Sequence, residues 1–103
     1  MVQFPYSDLS GSKMRPAVVL AQASPNDWIL CQITSNPYTD HRAVELRHSD
    51  FAEGSLKIIS FARPGKLFTA HRILVHEEIG RLRNPVFEEI LERVMMTLRG
   101  KVG

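Results

Sequence analysis

From Ala17 to Val75 the apolar residues come in short runs divided by turn formers, and the helical period appears only after residue 84. This spacing dictates a sheet built before any helix. Ala17-Val18-Val19-Leu20-Ala21 predicts a buried strand, Ser24-Pro25-Asn26-Asp27 a turn, and Trp28 to Thr34 a second strand closed by Ser35-Asn36-Pro37. Ala43-Val44-Glu45-Leu46-Arg47 alternates with period two and predicts a half-exposed strand. Leu56 to Ala62 predicts another, Arg63-Pro64-Gly65 a tight turn, and Lys66-Leu67-Phe68-Thr69 the strand that leaves it. Ile73-Leu74-Val75 reads as a short strand or edge, and the polar segment Ser7 to Lys13 as a loop.

The last fifth of the chain has a different period. Asn84-Pro85 reads as an N-cap followed by proline at the first helical position. Val86, Phe87, Ile90, Leu91, Val94, Met95 and Leu98 then fall on one helical face. Glu88 and Glu89 lie near the positive end of the helix dipole and Arg99 near the negative end. Glu89 and Arg93 form an i,i+4 pair, and Gly100 suits the position after the last turn. A helix over about 85–99 follows. Five to seven strands without intervening helices exclude βαβ units. They favour a small, strongly bent antiparallel sheet or barrel with the helix over an open side.

At 103 residues the chain predicts one domain spanning 1–103, too short for a full dinucleotide-binding oxidoreductase or a TIM barrel. Its 44% hydrophobic and 23% charged residues describe an ordinary globular protein with a modest core, which dimerisation would help. No apolar run approaches ~18 residues, so no membrane partner is expected, and no signal peptide is evident. The single cysteine, Cys31, excludes an intramolecular disulfide, fits a reducing cytoplasm and reads as a small buried hydrophobe.

The net charge of +2 is too weak to name nucleic acid as a partner, but its distribution is uneven. Between Gly54 and His76 stand Lys57, Arg63, Lys66 and Arg72 with no acid, and Lys13 and Arg15 lie near the start. Either this is a solvated face or it is a phosphate-tracking surface. The four histidines show no metal-ligand spacing, no Gly-x-Ser-x-Gly elbow is present, and no Gly-rich loop precedes a helix. No metal site and no cofactor are expected.

What remains are polar residues at strand ends. If the first two predicted strands form a hairpin, Arg15 and Thr34 come to one end of the sheet. A guanidinium beside a hydroxyl suits a phosphodiester, because arginine grips phosphate oxygens bidentately and stabilises a phosphorane. By spacing alone, Thr34-Ser35 is also an ordinary strand-ending turn and Arg15 a solvated side chain.

These residues carry a resemblance. The run from Phe4 to Leu20, with its Arg15-Pro16 step, resembles the opening of PemK-like members of the MazF/PemK/Kid toxins. Cys31-Gln32-Ile33-Thr34-Ser35 resembles their next motif, Ser60 to Thr69 a third, and Ile79-Gly80-Arg81-Leu82 with the final helix completes the order. The resemblance covers nearly the whole chain. It implies an SH3-like antiparallel β-barrel with a C-terminal helix, acting as a homodimer in a prokaryotic cytoplasm. It implies the toxin of a type II toxin–antitoxin pair, with single-stranded RNA and a cognate antitoxin as partners and DNA reached only through the antitoxin. The implied activity is metal-independent, sequence-specific endoribonuclease cleavage to 2′,3′-cyclic phosphate and 5′-hydroxyl ends. Carried over residue by residue, Arg15 stabilises the transition state and Thr34 positions the scissile phosphate. Lys13, Ser35, Arg63 and Lys66 contact RNA, and Phe61, Phe68 and Tyr38 are candidates for base stacking.

Two departures bear on activity. The Kid branch carries an Arg-x-Asp unit that performs acid–base work; the corresponding stretch here is Ser60-Phe61-Ala62, leaving Arg15, or by residue type His71, for that role. Family members also begin with about ten more residues, so either the start lies upstream or the first strand is clipped, with a bare edge. The alternative is therefore a catalytically silent copy that binds the antitoxin or another protein, as gyrase-poisoning CcdB relatives of this fold do. A polyproline-binding SH3 module lacks the acidic, aromatic-rich loops it would need.

Overall fold

The computed structural model describes residues 1–8, 11–75 and 77–100, and within them the side chains of all but 4–8, 11–13 and 77. Among the described residues eight strands precede one α-helix: β1 Val2–Asp8, β2 Gly11–Ser24, β3 Asp27–Thr34, β4 Val44–Leu46, β5 Phe51–Gly54, β6 Ser60–His71, β7 Glu77–Glu78, β8 Gly80–Leu82 and α1 Asn84–Leu98. The antiparallel main sheet runs β4-β6-β3-β2-β1-β7, and β5 pairs with β8 in a separate two-stranded ladder. The fold is mainly antiparallel β with one C-terminal helix, as the strand spacing predicts. The ladders among the described residues do not close the sheet on itself.

The central ladder sets the two apolar faces. Val18 stands opposite Cys31 and Val19 opposite Leu30, and successive side chains point to opposite faces. Val18, Cys31 and Ile33 join Val44, Leu46, Phe51, Ala62 and Leu82 in one cluster, on which α1 lays Val86, Ile90 and Val94. On the other face Val2, Ala17, Leu30 and Ala70 form a second cluster, flanked by Val19, Trp28 and Phe68. The helix thus covers one face of the sheet with Val86, Ile90 and Val94, whereas Met95 and Leu98 of the predicted apolar face are 50% and 70% exposed, beyond the reach of the sheet.

Several local expectations are corrected. Ser7 to Lys13 is not wholly loop: its backbone at 7–8 and 11–13 continues the β1–β2 ladder, with Ser7 opposite Ser12. A polar composition favours a turn only where no partner strand offers hydrogen bonds, and β1 offers them here. β1 itself has β2 on one side and β7 on the other, Val2 facing both Ala17 and Glu78. Leu56 to Ile59 lies outside strand, and Arg63-Pro64-Gly65 is not a turn. Those three residues sit within β6, where the β3 register jumps from Cys31↔Leu67 to Ile33↔Ala62. This bulge accommodates Pro64, which cannot donate to a ladder. Ile73-Leu74 belongs to a short 3-10 turn over Arg72–Leu74. At α1, Arg83 rather than Asn84 takes the N-cap, without a side-chain cap bond, and Pro85 still sits in the first turn. The Glu89–Arg93 pair forms at 3.0 Å.

One glycine is required. Gly54 has φ +68°, and a Cβ there would collide with the Ile79 carbonyl, so only glycine lets β5 lie against β8. Among the described residues no helix is long and apolar enough to cross a membrane.

Ile90 has no exposed surface and lies where α1 meets the sheet. We expect Ile90→Ala to lower stability by about 2–5 kcal/mol, read as a shift of the urea midpoint at unchanged slope.

Candidate functional site

Arg15 and Thr34 are nineteen positions apart, yet the β2–β3 ladder brings them together. Ala17 pairs with Gln32, and continuing that register by two residues sets Arg15 opposite Thr34. Both line one cavity of about 480 Å³ with Gln3, Met14, Pro16, Ile33, Ser35, Leu56, Lys57, Ile58 and Ser60. A volume of this size suits a small polar ligand such as a nucleotide. Arg15, Thr34 and Ser35 therefore line one cavity, at the end of the sheet where a β2–β3 hairpin brings them.

Thr34 is held by its own turn. Its Oγ1 accepts a hydrogen bond from the Asn36 backbone N–H at 3.2 Å and donates to the Asn36 carbonyl at 3.1 Å. The first bond fixes the oxygen; the second uses a proton that can rotate to another acceptor. Asn36 Oδ1 in turn accepts from the Tyr38 N–H at 2.9 Å, and Tyr38 sits at φ 57°. Gln3 Oε1 is buried with no hydrogen-bond partner among the described residues.

The cavity's charge is one-sided. Among the described residues its two charged lining side chains are Arg15 and Lys57, and no carboxylate or imidazole lines it. Two cations in a cleft with apolar walls raise the local concentration of anions.

The other sequence-derived residues lie elsewhere. The Lys13 side chain is outside the described residues, though its backbone pairs with Tyr6. Arg63 is absent from the cavity lining, and its Nε donates to Asp40 Oδ2 at 3.0 Å, with both side chains largely covered. Lys66 is exposed in the β6 bulge and also outside the lining. The Gly54–His76 cations do not form one face. Lys57 lines this cavity, whereas Arg72 lines another with Asn26, Trp28, His71 and Ile73. That second cavity is where His71 sits. Among the three aromatic candidates, Phe68 packs on the second core cluster, Phe61 is half-buried opposite Thr34, and Tyr38 is exposed; none lines the Arg15 cavity.

Sequence reasoning singled out Arg15, Thr34 and Ser35 but did not bring Met14, Lys57 and Ile58 to the same cavity. The only signal for Lys57 was its membership of the acid-free basic run. Among the described residues no three His, Cys, Asp or Glu side chains converge as a metal-binding group.

Two ionisable groups near the site have structural roles. Cys31 is fully buried, and its Sγ donates to the Arg63 carbonyl at 3.1 Å across the bulge. Burial pushes its thiol up to about 12. Roughly one thiol in ten thousand is then ionised at pH 8, so native protein should resist iodoacetamide while urea-unfolded protein is labelled at once, as mass spectrometry would read. For Asp40, burial works to raise the carboxyl's pKa. The hydrogen bond from Arg63, the Arg42 N–H and the charge of Arg63 outweigh it and hold the group below its ordinary 3.8. A depressed folded value stabilises the protein above 3.8, and that contribution is lost as pH falls through the folded value. Melting temperatures from about pH 5 down to about pH 2.5 should therefore fall more steeply for the wild type than for Asp40→Asn.

Comparison with known proteins adds the following. The family model for the PemK-like, MazF-like toxin of type II toxin–antitoxin systems matches residues 1–98. No curated protein matches the chain. Among solved structures, the Mycobacterium tuberculosis toxin MazF-mt6 is similar at 16% identity and TM-score 0.71, over 99% of this chain and 100% of that one. MazE-MazF from Deinococcus radiodurans is similar at 18% identity and TM-score 0.74, over 97% and 92%. An endoribonuclease in complex with its cognate antitoxin from Mycobacterial species is similar at 13% identity and TM-score 0.72, over 99% and 95%.

Proposed function

We propose that this chain, which belongs to the PemK-like, MazF-like toxins of type II toxin–antitoxin systems, is an endoribonuclease that cleaves single-stranded RNA at the Arg15–Thr34 cavity. The observation that carries this is the meeting of a guanidinium and a hydroxyl from adjacent strands in a cationic cleft that no carboxylate lines among the described residues. The similar mycobacterial protein, described as an endoribonuclease, supports the same activity.

The reaction suits these groups. The RNA 2′-hydroxyl attacks the adjacent phosphorus, forming the O2′–P bond as the P–O5′ bond breaks. The 2′ proton is lost, the 5′ oxygen gains one, and the products are a 2′,3′-cyclic phosphate and a 5′-hydroxyl. Because the nucleophile belongs to the substrate, the protein needs only to position the chain and stabilise charge. Arg15 donates to the non-bridging oxygens, whose charge grows in the phosphorane. Thr34 rotates its hydroxyl proton from the Asn36 carbonyl to a phosphate oxygen, while the Asn36 N–H keeps Oγ1 in place. Ser35 borders the same phosphate. Lys13, Arg63 and Lys66 serve RNA beyond the cleft, Arg63 only after leaving Asp40.

Partner binding follows the same electrostatics. The similar structures with an antitoxin or MazE support a cognate antitoxin for this chain, its acidic segment lying along the cationic cleft. We place the protein in a prokaryotic cytoplasm as a homodimer, with DNA reached through the antitoxin. One observation favours a second reading: among the described residues no carboxylate or imidazole lines the cavity to move the proton, which suits a silent copy that retains antitoxin binding.

A single assay separates the two. Purified protein is incubated with long single-stranded RNA in EDTA beside Arg15→Ala. We expect discrete fragments ending in 2′,3′-cyclic phosphate from the wild type, and at least about 100-fold slower cleavage by the variant, the loss typical of removing one transition-state donor. Intact RNA with folded wild type would move the assignment to the silent, antitoxin-binding copy.

A further inference from the structure

Lys57 and Ile58 lie in neither strand nor helix, between β5 and β6, yet they line the same cavity as Arg15. Lys57 is exposed and has no ion-pair partner among the described residues, in contrast to Arg63, which Asp40 holds. Beside it Ile58 is 62% exposed, and Met14, which lines the cavity from β2, is 47% exposed. Large apolar side chains left bare at the rim of a cationic cleft are a binding feature when a ligand with a flat apolar face and a charged linkage fits there. A nucleotide has both.

We propose that Lys57, Ile58 and Met14 form a nucleotide subsite adjoining the scissile phosphate. Lys57 holds the phosphate of the neighbouring nucleotide, and Ile58 with Met14 supplies the apolar surface on which its base rests. This rests on the RNA-cleaving reading above and adds residues that the strand-end motifs do not include. Aromatic stacking is the commoner device for single strands, but none of the candidate aromatics lines this cavity. The aliphatic pair fills that role. Lys57 acts as a mobile point charge, suited to a phosphate whose position varies, while Arg15 provides the planar grip at the reacting one.

Each releasable phosphate contact leaves a mark on salt dependence: about 0.7 in the slope of log affinity against log salt for a single strand. The experiment is fluorescence anisotropy with a 2′-O-methylated RNA oligonucleotide, which cannot be cleaved, across a series of KCl concentrations. The proteins are wild type, Lys57→Ala, Lys57→Arg, Ile58→Ser and, as a control of equal charge change, Arg99→Ala, whose side chain lines a different cavity. We expect Lys57→Ala to bind more weakly at low salt, with a slope shallower by about 0.7. Lys57→Arg should restore the slope and Arg99→Ala leave it unchanged. Ile58→Ser should weaken binding several-fold at every salt concentration without altering the slope, because the lost contact is apolar. Equal slopes for wild type and Lys57→Ala would overturn the phosphate role, and wild-type affinity in Ile58→Ser would overturn the base platform. Absence of RNA binding by folded wild type would instead overturn the RNA-cleaving reading on which the subsite depends. All three substituted positions are exposed and outside the core clusters, and matched thermal melts confirm that each variant is folded.

Discussion

The antiparallel register of β2 on β3 is the constraint from which both the core and the site follow. With Ala17 opposite Gln32, Val18 and Cys31 face α1 while Val19 and Leu30 face the second apolar cluster. A slip of one residue would reverse both assignments and turn the apolar sets toward the wrong sides. The same register carries Arg15 to Thr34 at the end of the ladder. Packing and chemistry are thus coupled: the burial that locks the pairing also aligns the guanidinium with the hydroxyl, at no added cost in ordering a flexible loop.

The β6 bulge is the second decisive feature. Between Ala62 and Leu67, β6 has more residues than β3 can pair, and Arg63, Pro64, Gly65 and Lys66 occupy the excess. Pro64 is buried there without breaking a ladder hydrogen bond. The Arg63 carbonyl, freed from regular pairing, accepts from the Cys31 thiol, and the Arg63 side chain reaches Asp40 in the segment between β3 and β4. A cation that looks available in one dimension thereby becomes a tie between two parts of the fold. Pairing of two largely covered charges matters more to the local structure than a surface ion pair would, since losing one partner leaves the other uncompensated.

What is left at the cavity is a division of roles. Arg15 comes from a strand, Thr34 from a strand end held by its own turn, and Lys57 from the irregular segment between β5 and β6. In the proposed reaction the two strand-borne groups face the scissile phosphate, and Lys57 stands where RNA is only held. That arrangement fits a reaction whose nucleophile is supplied by the substrate, in which preorganised donors supply most of the acceleration.

The sequence by itself determined the strand-rich architecture, a C-terminal helix and, given a β2–β3 hairpin, the nearness of Arg15 to Thr34. These depend on local period and on the antiparallel rule, both of which act over a few residues. It also carried the ordered motifs by which the family is legible. It did not determine that polar residues 11–13 continue a strand, that Arg63-Pro64-Gly65 is a bulge within β6, or which cations of the basic run meet Arg15. Each of those depends on a neighbour that the segment's own composition does not reveal: β1 for the hairpin backbone, β3 for the bulge, Asp40 for Arg63, and the Arg15 cavity for Lys57. Composition and spacing describe what a segment can do alone, whereas only the folded neighbours decide which hydrogen bonds, charges and apolar faces it has left to offer.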